Sequence, residues 1–343
     1  MKTHTSLAVA VTCLTAAGIG LSSPATAQTR PGQPEDLTVY VDATTRGVPE
    51  APDTLRTSTV AEAQRIAEAR QARNVTIRLA AGVHAPIDWS YVPSPGGRIT
   101  LKGADSTAAA TVVRCTRSSS EYGVKLDAGD ANADVSNLTI EKCRHGGIHV
   151  GGASSVTVRN NLIRYIGSKY VPRGDPAKEG FGGVHLKGAN RATISGNRFY
   201  HLENNGRSPA GVHGVYAANN SDGTTIASNR FGYISGDPIR FRHGSDNARV
   251  TSNRFWRAGY KAIVSDWRFG SEKCGKGTVL KANTVGNRTY SNAKYGSDAS
   301  RNRTTPTMRK WGKDSFKPAN LGGCTPAPVT FAGNNKWTAS RPW

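Results

Sequence analysis

One short phrase recurs five times in the chain: VTVRNNLI from Val156, TISGNRF from Thr193, TIASNRF from Thr225, RVTSNRF from Arg249 and VLKANTV from Val279. Each phrase holds an asparagine, at Asn161, Asn197, Asn229, Asn253 and Asn283, followed two positions on by Ile163, Phe199, Phe231, Phe255 or Val285. The intervals between the asparagines are 36, 32, 24 and 30 residues. A period of this size describes one coil of a β-solenoid, whose short strands bury their apolar residues only when neighbouring coils stack. Helical and leucine-rich repeats keep tighter unit lengths, so the variation predicts coils with loops inserted at one corner. Each asparagine is expected to sit at a turn, pointing inward and hydrogen-bonding along the stack. The composition agrees: 7% aromatic residues and 38 glycines suit many short strands joined by tight turns.

Residues 1–27 read as a secretory signal peptide: Lys2, an apolar run over residues 6 to 21, and Ala25 and Ala27 framing a cleavage site. No later run is apolar enough to span a membrane, so the rest of the chain, 28–343, is expected to be one secreted, monomeric domain. Four cysteines remain after cleavage, and proximity predicts disulfides Cys115–Cys143 and Cys274–Cys324. Zinc binding by these cysteines is not expected, because no CxxC or HxxxH spacing occurs.

Residues 58–72, TSTVAEAQRIAEARQ, place Val60, Ala63, Ile66 and Ala67 at helical spacing behind a Ser/Thr start. This short helix is expected to plug the first coil, since an open solenoid end exposes core and unpaired strand edges. Strands LTVYVDA and VTIRLAAGVH flank it. The order of leader, YVDA strand, capping helix, VTIRLAAGVH and Asn-x-Phe coils resembles the pectate-lyase-like proteins. That resemblance implies an all-β, right-handed, single-stranded parallel β-helix. The superfamily includes lyases, hydrolases, epimerases and binding proteins, so it implies fold more closely than activity.

Aligning the strand before each phrase by its distance to the asparagine yields columns. Two are apolar and expected inward: Ile148, Val184, Val215, Ile239, and Val150, Leu186, Ala217, Phe241. Between and beside them lie outward columns, His149, His185, Tyr216, Arg240 and Gly151, Lys187, Ala218, Arg242. With coils about 4.8 Å apart, these form one polar strip. The longest insertions, 167–180 and 203–211, immediately precede strands of this strip and are expected to wall a groove. The segment KAIVSDW adds Lys261, Asp266 and Trp267 as substrate-binding candidates, with Tyr260, alongside His149 and Asp237.

A formal charge of +21, from 45 basic and 24 acidic residues, concentrates polyanions around the molecule. No nucleic-acid-binding signature is present, so the expected partner is an anionic polysaccharide. Cleaving a uronate polymer by elimination requires neutralising a carboxylate, removing the adjacent proton and protonating the leaving oxygen. The strip supplies suitable groups: Arg242 with Arg240 or Lys187 for the carboxylate, and Tyr216 with His213 or His185 for the proton.

The phrase IRFRHGSDNARVTSNRF, residues 239 to 255, is similar to the Arg-His-Gly coil of chondroitinase-B-type and related alginate lyases. The resemblance implies a catalytic Arg242. That family's lysine has no match here, where Ala218 and Asn219 stand, and its calcium-binding glutamates have no counterpart before Tyr216. No cofactor or metal is therefore expected, and calcium is unsupported. A glycoside hydrolase is the alternative, using two carboxyl groups among Asp237, Asp266, Asp175, Glu179 and Glu203. A noncatalytic carbohydrate-binding protein is the third reading. An epimerase is weaker, since the chain offers only Asp237-Pro238-Ile239-Arg240. From about residue 286 to 343 the repeat is lost, and an irregular C-terminal cap is expected.

Overall fold

The computed structural model describes residues 36–42, 55–104, 107–116, 122–173, 179–205, 211–259, 263–267, 271–286, 290, 329–338 and 340–343. The signal peptide, Asp175, Tyr260, Lys261 and Cys324 lie outside them. The described strands form three parallel sheets, here A, B and C, of 11, 9 and 7 strands. The chain visits them in turn. Strand Asn132–Ser136 of sheet A leads to Thr139–Glu141 of B and Gly146–Gly151 of C, and the next coil starts at Ser155–Arg159 of A. The fold is a right-handed parallel β-helix.

The turn between sheets A and B explains the repeated phrase. The residue before each asparagine takes a left-handed conformation: Asn160, Gly196, Ser228, Ser252 and Ala282 have φ between 56° and 66°. This two-residue bend swings the asparagine side chain into the core, where the five rungs are at most 1% exposed. Each carboxamide oxygen accepts the backbone N–H of the rung before it. Asn161 N to Asn197 Oδ1 is 3.0 Å, Asn197 N to Asn229 Oδ1 2.9 Å, and Asn229 N to Asn253 Oδ1 2.9 Å. The side-chain amides donate to the next carboxamide oxygen and to strand carbonyls such as Ile194 O. Buried donors at every turn are thereby satisfied. Two residues on, Phe199, Phe231 and Phe255 stack face to face with centroids 4.8 and 4.9 Å apart.

The ladder extends further than the repeat predicts. Strands Val329–Phe331 and Lys336–Thr338 join sheets A and B, and Asn283 N donates to Asn335 Oδ1 at 2.9 Å. The expected irregular cap over 286–343 therefore contains part of another coil. Its signal, Asn335-Lys336-Trp337, is the same Asn-x-apolar phrase, displaced beyond a long interval. At the other end the rung before Asn161 is Leu138, which has no side-chain amide and joins the ladder through its backbone alone, its N–H donating to Asn161 Oδ1 and its carbonyl accepting from Leu162 N.

The capping helix runs Val60–Ala69, with Thr59 as N-cap accepting from Glu62 N, and buries Ala63 and Ala67. Cys115 and Cys143 form the expected disulfide between successive coils. Cys274 is also disulfide-bonded, while its expected partner lies outside the described residues.

Replacing a central rung, Asn229→Ala, strips the acceptor from the buried N–H and side-chain amide of Asn197, removes a donor from Ile194 O, and leaves Asn253 Oδ1 with the backbone N–H of residue 229 alone. A loss of roughly 2–4 kcal/mol is expected, measured as a lower urea midpoint with unchanged slope. An unaltered midpoint would show that the ladder does not hold the coils together.

Candidate active site on sheet C

The strand register of sheet C bears out the column alignment. His149 pairs with His185, His185 with Tyr216, and Tyr216 with Arg240, while Ile148, Val184, Val215 and Ile239 align as a buried column. The second outward column runs Asp127, Gly151, Lys187, Ala218. In the order of elements, both long insertions fall between a strand of sheet B and the next strand of sheet C.

The outward column is a packed layer of rings rather than a solvated edge, with His149 9% and Tyr216 3% exposed. Phe181 lies against Tyr216 and His185, with centroids 4.3 and 5.0 Å away, and stacks on His145. Tyr122 reaches across from an earlier coil to bring its hydroxyl 2.7 Å from His185 Nδ1. It can do so because Gly146 has no side chain: a Cβ there would stand 2.3 Å from the Tyr122 ring. His149 Nδ1 lies 3.2 Å from the same His185 nitrogen. Burial, reinforced at His185 by the neighbouring imidazole of His149, lowers the pKa of His149 to about 4 and of His185 to about 2. Both rings are neutral at pH 7.

At the C-terminal end of the layer, Arg242 Nη1 donates to Tyr216 Oη at 3.1 Å. Glu272 grips the same guanidinium through two bonds of 2.7 and 2.5 Å. Arg240 is held by Asp237 at 2.8 Å and by Ser265 Oγ at 3.2 Å. Lys187 is exposed beside this group.

The profile of the right-handed β-helix region matches residues 99–309, more than half of the chain. The chain belongs to the right-handed β-helix family. A solved structure, that of Escherichia coli YbhC, is similar at 11% identity over 76% of this chain and 74% of that one, with a TM-score of 0.42. No curated protein matches. The matched β-helix region contains the ring layer and the Arg242 cluster.

Within this β-helix, two predicted placements change. His213 does not edge a groove: it is 1% exposed, with Nδ1 2.7 Å from the Asp237 carbonyl, although its ring lies 5.6 Å from that of Tyr216. Asp266 does not face the strip: it pairs in register with Phe241, in the inward column, and is 2% exposed. Trp267 lies in register beside Arg242, on the strip strand.

Of the carboxyl groups proposed for a hydrolase, Asp237 and Glu203 are buried in ion pairs. Asp237 is fully buried in its pair with Arg240. Glu203 lies at the corner after sheet B, where burial pushes its pKa up but hydrogen bonds from His201, Lys169, Tyr170 and Tyr290 hold it down at about 2. The carbonyl of Glu179 faces His145 Nδ1 at 2.8 Å.

The alignment missed Tyr122, His145, Phe181 and Glu272. Tyr122 could have been found by extending the columns one coil back, through Lys125 and Asp127, but that coil has Leu138 in place of the asparagine. Nothing in the local sequence marks Glu272, whose contact is made by a segment between strands.

The Asp266 carboxyl is buried without a side-chain hydrogen-bond partner among the described residues, and only the backbone N–H of Gly275 beside it favours its charged form. Burial, with the charge of Asp246 adding to it, raises its pKa to about 7. The folded state therefore keeps a proton that the unfolded chain releases near pH 4, so Asp266 costs stability progressively as pH rises from about 4 to 7. Asp266→Asn should be more stable than the parent at pH 8 by on the order of 3 kcal/mol, with the advantage gone by pH 4. Paired urea melts across this range measure it; a difference independent of pH would exclude the buried acid.

Proposed function

We propose that the chain is a secreted lyase that cleaves a uronate-containing polysaccharide by β-elimination on the outer face of sheet C. The hydrogen bond from Arg242 to Tyr216 carries this reading. A guanidinium only donates, so the phenol oxygen accepts and its own proton is turned away from Arg242. Glu272 fixes the guanidinium in place, making Arg242 a positioning residue for Tyr216.

Carboxylate neutralisation passes to Lys187, because Arg242 and Arg240 already hold Glu272 and Asp237. In the reaction, the carbon next to the uronate carboxylate gives up its proton and the electron pair forms a carbon–carbon double bond. The bond to the glycosidic oxygen breaks, and that oxygen takes up a proton. Tyr216 serves this transfer, and no water or redox partner is consumed. Polymer capture draws on the net charge of +21. The disulfide between coils suits an oxidising compartment.

A panel of uronate polymers, monitored for ultraviolet-absorbing unsaturated ends and for reducing ends, tests the reading. Tyr216→Phe should lower kcat at least about 100-fold. Lys187→Ala should act mainly through KM. Reducing ends without absorbance would point to hydrolysis, and retention of polymer without product to a binding protein. Full activity of Tyr216→Phe would remove Tyr216 from the chemistry.

A further inference from the structure

Two polar atoms crowd His185 Nδ1 in the ring layer. His149 Nδ1 and His185 Nδ1 are 3.2 Å apart, and Tyr122 Oη is 2.7 Å from His185 Nδ1. Hydrogen bonding alone serves this arrangement poorly. A neutral imidazole nitrogen either carries one hydrogen or presents one lone pair, yet His185 Nδ1 faces two neighbours. We propose that Tyr122, His149 and His185 form a binding site for one divalent transition-metal ion of the zinc class, with water completing its shell.

The spacing suits such an ion. Placed about 2.1 Å from both nitrogens, it would see them at an angle of about 100°, within the range of tetrahedral and more open coordination. Two imidazoles and a phenol oxygen select zinc, copper or nickel over calcium or magnesium, which take oxygen ligands. Among the described residues no three His, Cys, Asp or Glu side chains gather around a point, so the phenol is the third donor here.

The surroundings orient the donors. Tyr122 lies in the space left by Gly146. Asp127 stands on the neighbouring column, two residues from the position paired with His149, and is held by Lys125 at 2.9 Å. The site is independent of the lyase reading, because its test contains no polymer.

The purified, chelator-stripped full chain is titrated with Zn2+ and, separately, with Co2+ followed by visible absorption. One equivalent is expected, with cobalt bands that zinc displaces and calcium does not. His149→Ala and His185→Ala should each weaken binding about 100-fold, and Tyr122→Phe about 10-fold. His201→Ala, a histidine on another corner, should bind as the parent does. A second readout needs no variant: zinc should protect His149 and His185 of the native protein from acylation by diethyl pyrocarbonate, mapped by mass spectrometry. Absence of saturable binding, equal affinity in all variants, or equal acylation with and without zinc would each overturn the site.

Discussion

The asparagine ladder is the interaction on which the rest of the molecule depends. A solenoid coil has few contacts of its own, and at each turn from sheet A to sheet B its backbone amides would be buried without partners. One side chain per coil solves this by accepting the N–H of the rung before it and donating to the carboxamide oxygen of the rung after it and to a strand carbonyl. The ladder also sets register. Once the asparagines align, the alternation of strand residues fixes which columns face the core and which face outward. The stacked Phe199, Phe231 and Phe255 follow from the same alignment.

Register is what brings chemistry to sheet C. Residues remote in the chain, such as Tyr122 and His185 or Tyr216 and Arg242, become neighbours because the coils stack at strand spacing. The insertions fall at the adjacent corner, where added length does not disturb the ladder. Packing then changes what the outward side chains can do. His149 and His185, packed against Tyr122 and each other with Phe181 over His185, lose their ordinary basicity in a strongly cationic protein.

Carboxylates divide the arginines from the lysine. Glu272 and Asp237 tie Arg242 and Arg240 into fixed geometry, which suits positioning more than capture of a mobile acidic polymer. Lys187, on the neighbouring column, remains at the surface. Buried Glu203 plays a comparable organising role at the corner after sheet B, drawing Lys169, Tyr170, His201 and Tyr290 onto one group.

The β-helix, its register, the capping helix and the Cys115–Cys143 bridge were legible in the order of residues, because all follow from local period or proximity. The same period placed His149, His185, Tyr216 and Arg240 in one column. It failed where its marker was missing or displaced: Leu138 hid the coil of Tyr122, and a long interval hid Asn335. Folding alone decided that Asp266 turns inward, that His213 is sealed against the Asp237 carbonyl, and that Glu272 closes on Arg242. Alternation along a strand is a property of the backbone and can be counted, whereas burial and ion pairing depend on which distant segments arrive alongside, and only the assembled coil brings them there.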